Sequence, residues 1–268
     1  MRIAACQMVS GLDPQKNIET ALTLIRSAAQ SGAELVVLPE HFALTPRRYE
    51  DLLDIAETFG DGPIQKAMSE IAQSEQIWLC AGSIPLKGKD ANHFINSSII
   101  YCPDGEVRAR YDKLHLFEFD QDEHSFCESK TAEAGDHTQT TTMACWDGEW
   151  KVGMSICYDL RFPELFRALN GPDIITLPAS FITPTGRAHW DPLVRARAIE
   201  NQCYVIAAAQ GGQHESGRET WGHSLVVDPW GLTVAELTQG EGVLLCDISL
   251  ERIKQVRQMM PSKKSDVL

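Results

Sequence analysis

Three ionisable side chains stand where apolar runs stop. Glu40 follows LVVLP (35–39), Lys113 ends VRARYDK (107–113) and Cys157 ends VGMSIC (152–157). Reactive groups in α/β chains gather beyond the carboxyl ends of strands, so a carboxylate, an ammonium and a thiol can converge there. Each also has an ordinary reading: Glu40 as a solvated loop residue, Lys113 as a surface cation beside Asp112 or Glu118, Cys157 as one of several buried thiols.

The surroundings of Cys157 favour chemistry. Val152, Met154 and Ile156 alternate with Gly153, Ser155 and Cys157, giving the strand one bulky and one small face. The small face leaves room for another chain segment or a substrate. Pro163 suits the first turn of a helix, so a helix is expected soon after the cysteine, with the thiol near the positive end of its dipole. That field, together with a lysine, favours thiolate.

A thiolate attacking an amide carbonyl creates an oxyanion and then an amine that must leave protonated, so the site needs a donor array and a general acid/base. Lys113 suits the first task and Glu40 the second. A glutamate that serves as base and acid near neutral pH is expected to titrate above about 4.3, raised by burial. Lys113 must stay charged, so carboxylates are expected around it.

The elements that would position these groups can be read from periodicity. Arg2 to Met8 reads as a strand. Ile18, Leu22, Ile25 and Ala29 recur at helical spacing within 17–31, Gly32 closes that helix, and 33–39 is a buried strand, which makes one βαβ unit. A helix around Ile64 to Ser74 precedes a strand at 77–82, and 96–101 and 107–113 flank Pro103-Asp104-Gly105 as a hairpin. After a polar segment (118–142) come a strand to Cys157, a helix from Pro163, a strand at 173–178, a helix opening at Asp191-Pro192 and a strand at 204–210. Ser224 to Val227 and Thr233 to Leu237 flank the turn Asp228-Pro229-Trp230-Gly231, and 242–247 supplies a last strand. This alternation implies a layered α/β domain with mixed sheets, and no linker divides the chain, so residues 1–268 read as one domain with 260–268 as a peripheral tail.

Composition narrows the function classes. With 268 residues, 43% hydrophobic and 23% charged, a sizeable core is available. A net charge of -13 repels phosphate backbones and anionic lipid, so nucleic-acid and membrane partners are disfavoured. No basic segment followed by an apolar one opens the chain, no run is long enough to span a bilayer, and the eight cysteines form no compact framework, so a cytoplasmic location with reduced thiols is expected. A zinc hydrolase is not supported, because the eight histidines give no HExxH or HxH spacing. A serine nucleophile is poorly supported, since GMSIC (153–157) lacks the second glycine of a G-x-S-x-G elbow. A catalytically silent interaction protein would leave the ordered Glu, Lys and Cys unexplained.

The segments VVLPEHF, YDKLHLF and GMSICYDLRFPEL together resemble the carbon-nitrogen hydrolase (nitrilase) superfamily, whose catalytic set is Glu, Lys and Cys in that order. AACQM, CESKTAEAGD and the stretch from Ala188 to Gly231 extend the resemblance along nearly the whole chain. Within the superfamily the likeness is to the deaminated glutathione amidases, with ESKT also similar to the omega-amidases. The resemblance implies a four-layer αββα sandwich, a homodimer or larger homo-oligomer, and a linear amide as substrate, with no metal or organic cofactor. It assigns Cys157 as nucleophile, Glu40 as base and later acid, and Lys113 with the Tyr158 backbone N–H as stabilisers of the tetrahedral intermediate. Glu128 matches the glutamate that holds the lysine.

Substrate contacts are expected from Arg161, Ser180, Phe181, Thr185, His189 and Trp190, which fall in or near the loops around the cysteine. Arg161 or His189 would suit a carboxylate-bearing substrate, against the simpler reading that Arg161 pairs with Asp159 or Glu164. Arg195, Arg197 and Glu200 read as helix ion pairs. The chain ends MPSKKSDVL where the deaminated glutathione amidases commonly carry a basic His-Arg-Arg segment after Met-Pro.

Overall fold

The strand Arg2–Gln7 pairs in parallel with Leu35–Val37, and the helix Pro14–Gln30 makes the crossover between them. Asp13 starts that helix by accepting from the Gln15 and Lys16 N–H groups, which moves its beginning ahead of the apolar repeat that betrays it in the sequence. The computed structural model describes residues 1–121 and 124–261; residues 262–268, most of the expected tail, lie outside the described residues.

Two sheets result. The first runs in the order Gly242–Asp247, Arg2–Gln7, Leu35–Val37, Trp78–Cys80, Phe94–Tyr101, Ile84–Lys87, with Val107–Asp112 and Ala132–Glu133 also paired to Phe94–Tyr101. The second runs Thr140–Cys145, Gly148–Met154, Ile174–Ala179, Tyr204–Ala209, Ser224–Val227, Thr233–Leu237. The expected last strand thus crosses back to pair antiparallel with the first one.

Side-chain alternation decides the layers. Ile3 and Ala5 enter the core between the sheets with Val152, Met154 and Ile206. Ala4, Cys6 and Met8 point the other way, against Ile18, Ala21 and Ile25 of the first helix and Ile64, Met68 and Ile71 of Pro63–Glu75. Leu165, Phe166, Trp190, Val194 and Ala198, from the helices Pro163–Ala168 and Thr183–Asn201, join the core on the side of the second sheet. The order helix, sheet, sheet, helix is the αββα sandwich. Each fully buried aliphatic side chain in these layers contributes about 1.5–3 kcal/mol. No helix among the described residues is long and apolar enough to cross a membrane.

One expectation is corrected. The helix assigned to Asp191-Pro192 opens at Thr183, and Pro192 lies inside it. Two prolines at helix-start spacing competed for the first turn, and Pro184 took it. The small face at Gly153 receives another chain segment, the first of the two occupants expected, since a Cβ there would meet Leu169 Cδ1 at 2.6 Å.

Candidate active site

Glu40 follows the strand Leu35–Val37 by three residues, at the top of the first sheet. Its backbone is held from both sides. Gly82, in a left-handed conformation (φ 54°), passes so close that a Cβ would lie 2.1 Å from the Pro39 carbonyl oxygen. Gln210, just past the strand Tyr204–Ala209 of the second sheet, donates from Nε2 to the Glu40 carbonyl at 3.2 Å and to Ser10 Oγ at 2.8 Å. The two sheets are therefore tied together at the Glu40 backbone.

Lys113 follows Val107–Asp112 directly and is 2% exposed. Asp112 is occupied by Ser97 and Arg110, so the neighbour considered from sequence is not the lysine's partner. Lys113 Nζ instead donates to Glu40 Oε1 at 3.0 Å and to the Glu128 carboxylate, whose Oε2 and Oε1 lie at 2.9 and 3.2 Å. Burial alone would strip the ammonium of its proton, but Glu128 and then Glu40 hold the lysine well above its ordinary range. The expected carboxylates are present.

Asn96 Nδ2 adds a 3.0 Å bond to the same Glu40 Oε1. Burial pushes the Glu40 carboxyl up, yet Lys113, His41 and a bond from Cys157 together bring it below the usual carboxylate range. The expectation of a raised Glu40 is overturned because the lysine charge lies in direct contact. The carboxylate is thereby able to accept a proton.

Cys157 begins the single-turn 3₁₀ helix Cys157–Arg161, after the strand Gly148–Met154 has ended. Its φ of 47° is left-handed, a strained conformation for a side-chain-bearing residue and one that turns the thiol away from the strand line. Burial pushes the thiol well up, and Glu40 adds to the effect against Lys113 and the Ser180 backbone. The expected dipole-stabilised thiolate is corrected accordingly: the α-helix starts only at Pro163, beyond the reach of its first turn. Tyr158 N–H is among the opening donors of the 3₁₀ turn, which have no partner within it.

Asp159 holds this turn. Fully buried, it accepts from Ile156 N–H (2.9 Å) and Tyr111 Oη (2.7 Å) on Oδ2, and from His115 N–H (3.1 Å) on Oδ1, with His115 Nδ1 2.8 Å from Oδ1. Tyr111 and His115 flank Lys113, so one carboxylate binds the lysine segment to the cysteine turn. Arg197 donates to the Leu160 carbonyl at 3.0 and 2.7 Å and pairs with Glu200 at 2.8 Å, while Arg195 pairs with Asp191 at 3.8 Å.

Glu128 starts a 3₁₀ turn, Glu128–Lys130, and is fully buried. Besides Lys113 it accepts from Phe117 N–H at 2.6 Å and from the Tyr49 hydroxyl in a short bond. Glu40, His41 and Glu128 present possible ligand atoms within 4.8 Å of one another. The Lys113 ammonium stands between the two carboxylates, however, and its charge opposes a metal ion in the same space.

Of the expected substrate contacts, Arg161, Phe181 and His189 come together: Arg161 Nη1 lies 3.2 Å from His189 Nδ1, and the guanidinium stacks over Tyr158 and Phe181 at 5.6 and 5.5 Å. Asp159 is engaged elsewhere, so it does not pair with Arg161. Ser180 meets the thiol through its backbone. Thr185 Oγ1 donates to the Ile182 carbonyl. Trp190 is 1% exposed, packs beneath Phe181 and donates to the His223 carbonyl, so it supports the group from within the core.

Sequence reasoning missed His41, Tyr49, Asn96 and the role of Asp159. Asn96 carried a signal, as a polar residue in the buried strand FINSSIIY. Tyr49 carried none, since its contact with Glu128 joins segments 79 positions apart.

The chain matches the carbon-nitrogen hydrolase family over residues 2–258. It is 40% identical over 263 residues to a deaminated glutathione amidase of Synechocystis, covering 97% of this chain and 95% of that protein. The human deaminated glutathione amidase is 38% identical over 265 residues, covering 97% of this chain and 80% of the human one. Among solved structures, Nit3 of Saccharomyces cerevisiae, described as a member of branch 10 of the nitrilase superfamily, superposes with a TM-score of 0.87 at 31% identity, covering 100% of this chain and 97% of that one.

Proposed function

The chain belongs to the carbon-nitrogen hydrolase family, and from that premise we propose that this amidase hydrolyses deaminated glutathione to 2-oxoglutarate and Cys-Gly through a thioester on Cys157. The observation that carries the chemistry is the sealed Glu40–Lys113–Glu128 cluster beside a buried, left-handed cysteine. The cluster holds two negative charges and one positive, and a free thiolate would add a third negative charge in a buried site. The thiol proton therefore leaves during attack.

Glu40 takes that proton as Cys157 Sγ bonds to the amide carbon. Negative charge moves to the carbonyl oxygen, where Lys113 and the Tyr158 N–H receive it. Glu40 then gives its proton to the departing nitrogen as the C–N bond breaks. Water, deprotonated by Glu40, attacks the thioester, and collapse releases the acid and restores the thiol. Arg161 beside His189 suits a substrate carboxylate, which both halves of deaminated glutathione carry. An omega-amidase acting on 2-oxoglutaramate is the second reading, favoured by the same Arg161 guanidinium beside His189.

Paired assays of the two substrates decide the matter. 2-Oxoglutarate with Cys-Gly from the first, at higher kcat/KM than from the second, supports the proposal; the reverse ranking supports the omega-amidase reading, and no release from either rejects both. A folded Cys157→Ala protein that kept full turnover would remove the thioester.

The reading of the chain as one catalytic domain is supported by the family match over residues 2–258. A homodimer is supported by exposed apolar side chains that cluster where the turn at Gly231 meets the helix Thr183–Asn201: Ile199, Trp230 and Leu232 are 41%, 47% and 53% exposed. A cytoplasmic location is supported by eight cysteines that are all free.

A further inference from the structure

Tyr49 has one phenolic proton, and Glu128 Oε1 receives it. The Tyr49 oxygen is then an acceptor, and His41 Nε2 lies 3.2 Å from it. The imidazole must donate there, which fixes the neutral Nε2–H tautomer and leaves Nδ1 bare. His41 Nδ1 is buried with no hydrogen-bond partner among the described residues, a position better suited to a lone pair than to an orphan N–H. Burial, aided by Lys113 and Arg218 against the pull of Glu40 and Glu128, keeps the ring below its usual titration range. The ring is fixed as well: His41 is left-handed (φ 54°), its N–H bonds Ser83 Oγ, and its edge packs on Tyr49, which packs in turn on Phe94.

The consequence reaches Lys113. An ammonium has three protons. Glu40 Oε1 takes one, while Glu128 presents both oxygens to the lysine, at 2.9 and 3.2 Å, and without competition would draw two. Tyr49 loads Oε1 and Phe117 N–H loads Oε2. We propose that His41 and Tyr49 are a positioning pair that holds the Glu128 carboxylate to a single lysine proton, leaving the third for the oxyanion of the tetrahedral intermediate. This rests on the reading of Lys113 as an oxyanion donor.

The test compares Tyr49→Phe, His41→Gln and His41→Leu with Lys113→Ala, by kcat and KM on deaminated glutathione and by thermal unfolding. A glutamine amide can put an N–H where Nε2–H stands, and leucine cannot. The loss of a hydrogen bond to a charged group predicts that Tyr49→Phe and His41→Leu lower kcat by about 10- to 100-fold with KM nearly unchanged, and that His41→Gln recovers most of it. The Tyr49→Phe/His41→Leu double variant should lose no more than the worse single one. An unchanged kcat in Tyr49→Phe beside an inactive Lys113→Ala overturns the pair alone, and a fully active Lys113→Ala overturns the reading beneath it. Should Tyr49→Phe fail to fold, the glutamine and leucine variants decide: equal losses overturn the proposal.

Discussion

Lys113 Nζ lies 3.0 Å from Glu40 Oε1 across 73 positions of sequence, with both side chains almost sealed from solvent. The contact sets the resting charges of the whole site. It helps to keep the lysine protonated and the glutamate ionised, while burial and then Glu40 push the neighbouring cysteine up.

The neutral thiol has a measurable signature. A cysteine activated as a thiolate is alkylated rapidly near pH 7, but burial and Glu40 hold Cys157 well above the ordinary value of 9.0. Iodoacetamide should therefore label Cys157 slowly at pH 7, with a rate that climbs only above pH 9. Peptide mapping against pH checks this; a plateau already reached at pH 7 would show a preformed thiolate.

Glu128 is the larger of the two influences that keep Lys113 charged. In Glu128→Gln the lysine retains its desolvation but loses that support, so its titration moves down. The sign follows: activity that needs the ammonium is present below the lysine pKa and lost as pH rises through it. The alkaline limb of kcat should shift to lower pH in the variant, and kcat should fall about 10- to 100-fold at the optimum. A pH–rate profile with an unmoved alkaline limb would mean that Glu128 does not govern the lysine.

Asp159 joins the lysine segment to the cysteine turn, and its removal should act on both. Asp159→Ala leaves the buried Ile156 and His115 N–H groups and the Tyr111 hydroxyl without their acceptor, at a cost of about 3 kcal/mol or more. Urea unfolding should show that loss, and the surviving folded protein should have a lower kcat, because the cysteine is no longer registered against Lys113. Full kcat with reduced stability would confine Asp159 to the fold.

How much was legible in the sequence varies with the range of the interaction. The strands that lead to Glu40, Lys113 and Cys157, the βαβ opening and the hairpin over Pro103-Asp104-Gly105 follow from local periodicity and turn chemistry, which act within a few residues. Pro163 marked its helix correctly. Pro192 misled, because a proline inside a helix and one at its start look alike until the flanking turns are known.

The amino-acid sequence by itself determined which groups end which strands, that their order is Glu, Lys and Cys, and that the balance of charge and cysteine suits an acidic α/β hydrolase with free thiols. Only the tertiary structure decided what those groups are at rest. Strand pairing within the first sheet brings Glu40 and Glu128 onto one ammonium, and direct charge contact outweighs the desolvation that would otherwise have raised Glu40. The left-handed turn at Cys157, the Asp159 clamp and the His41–Tyr49–Glu128 chain have no local signal, since each joins segments that meet only when the core closes.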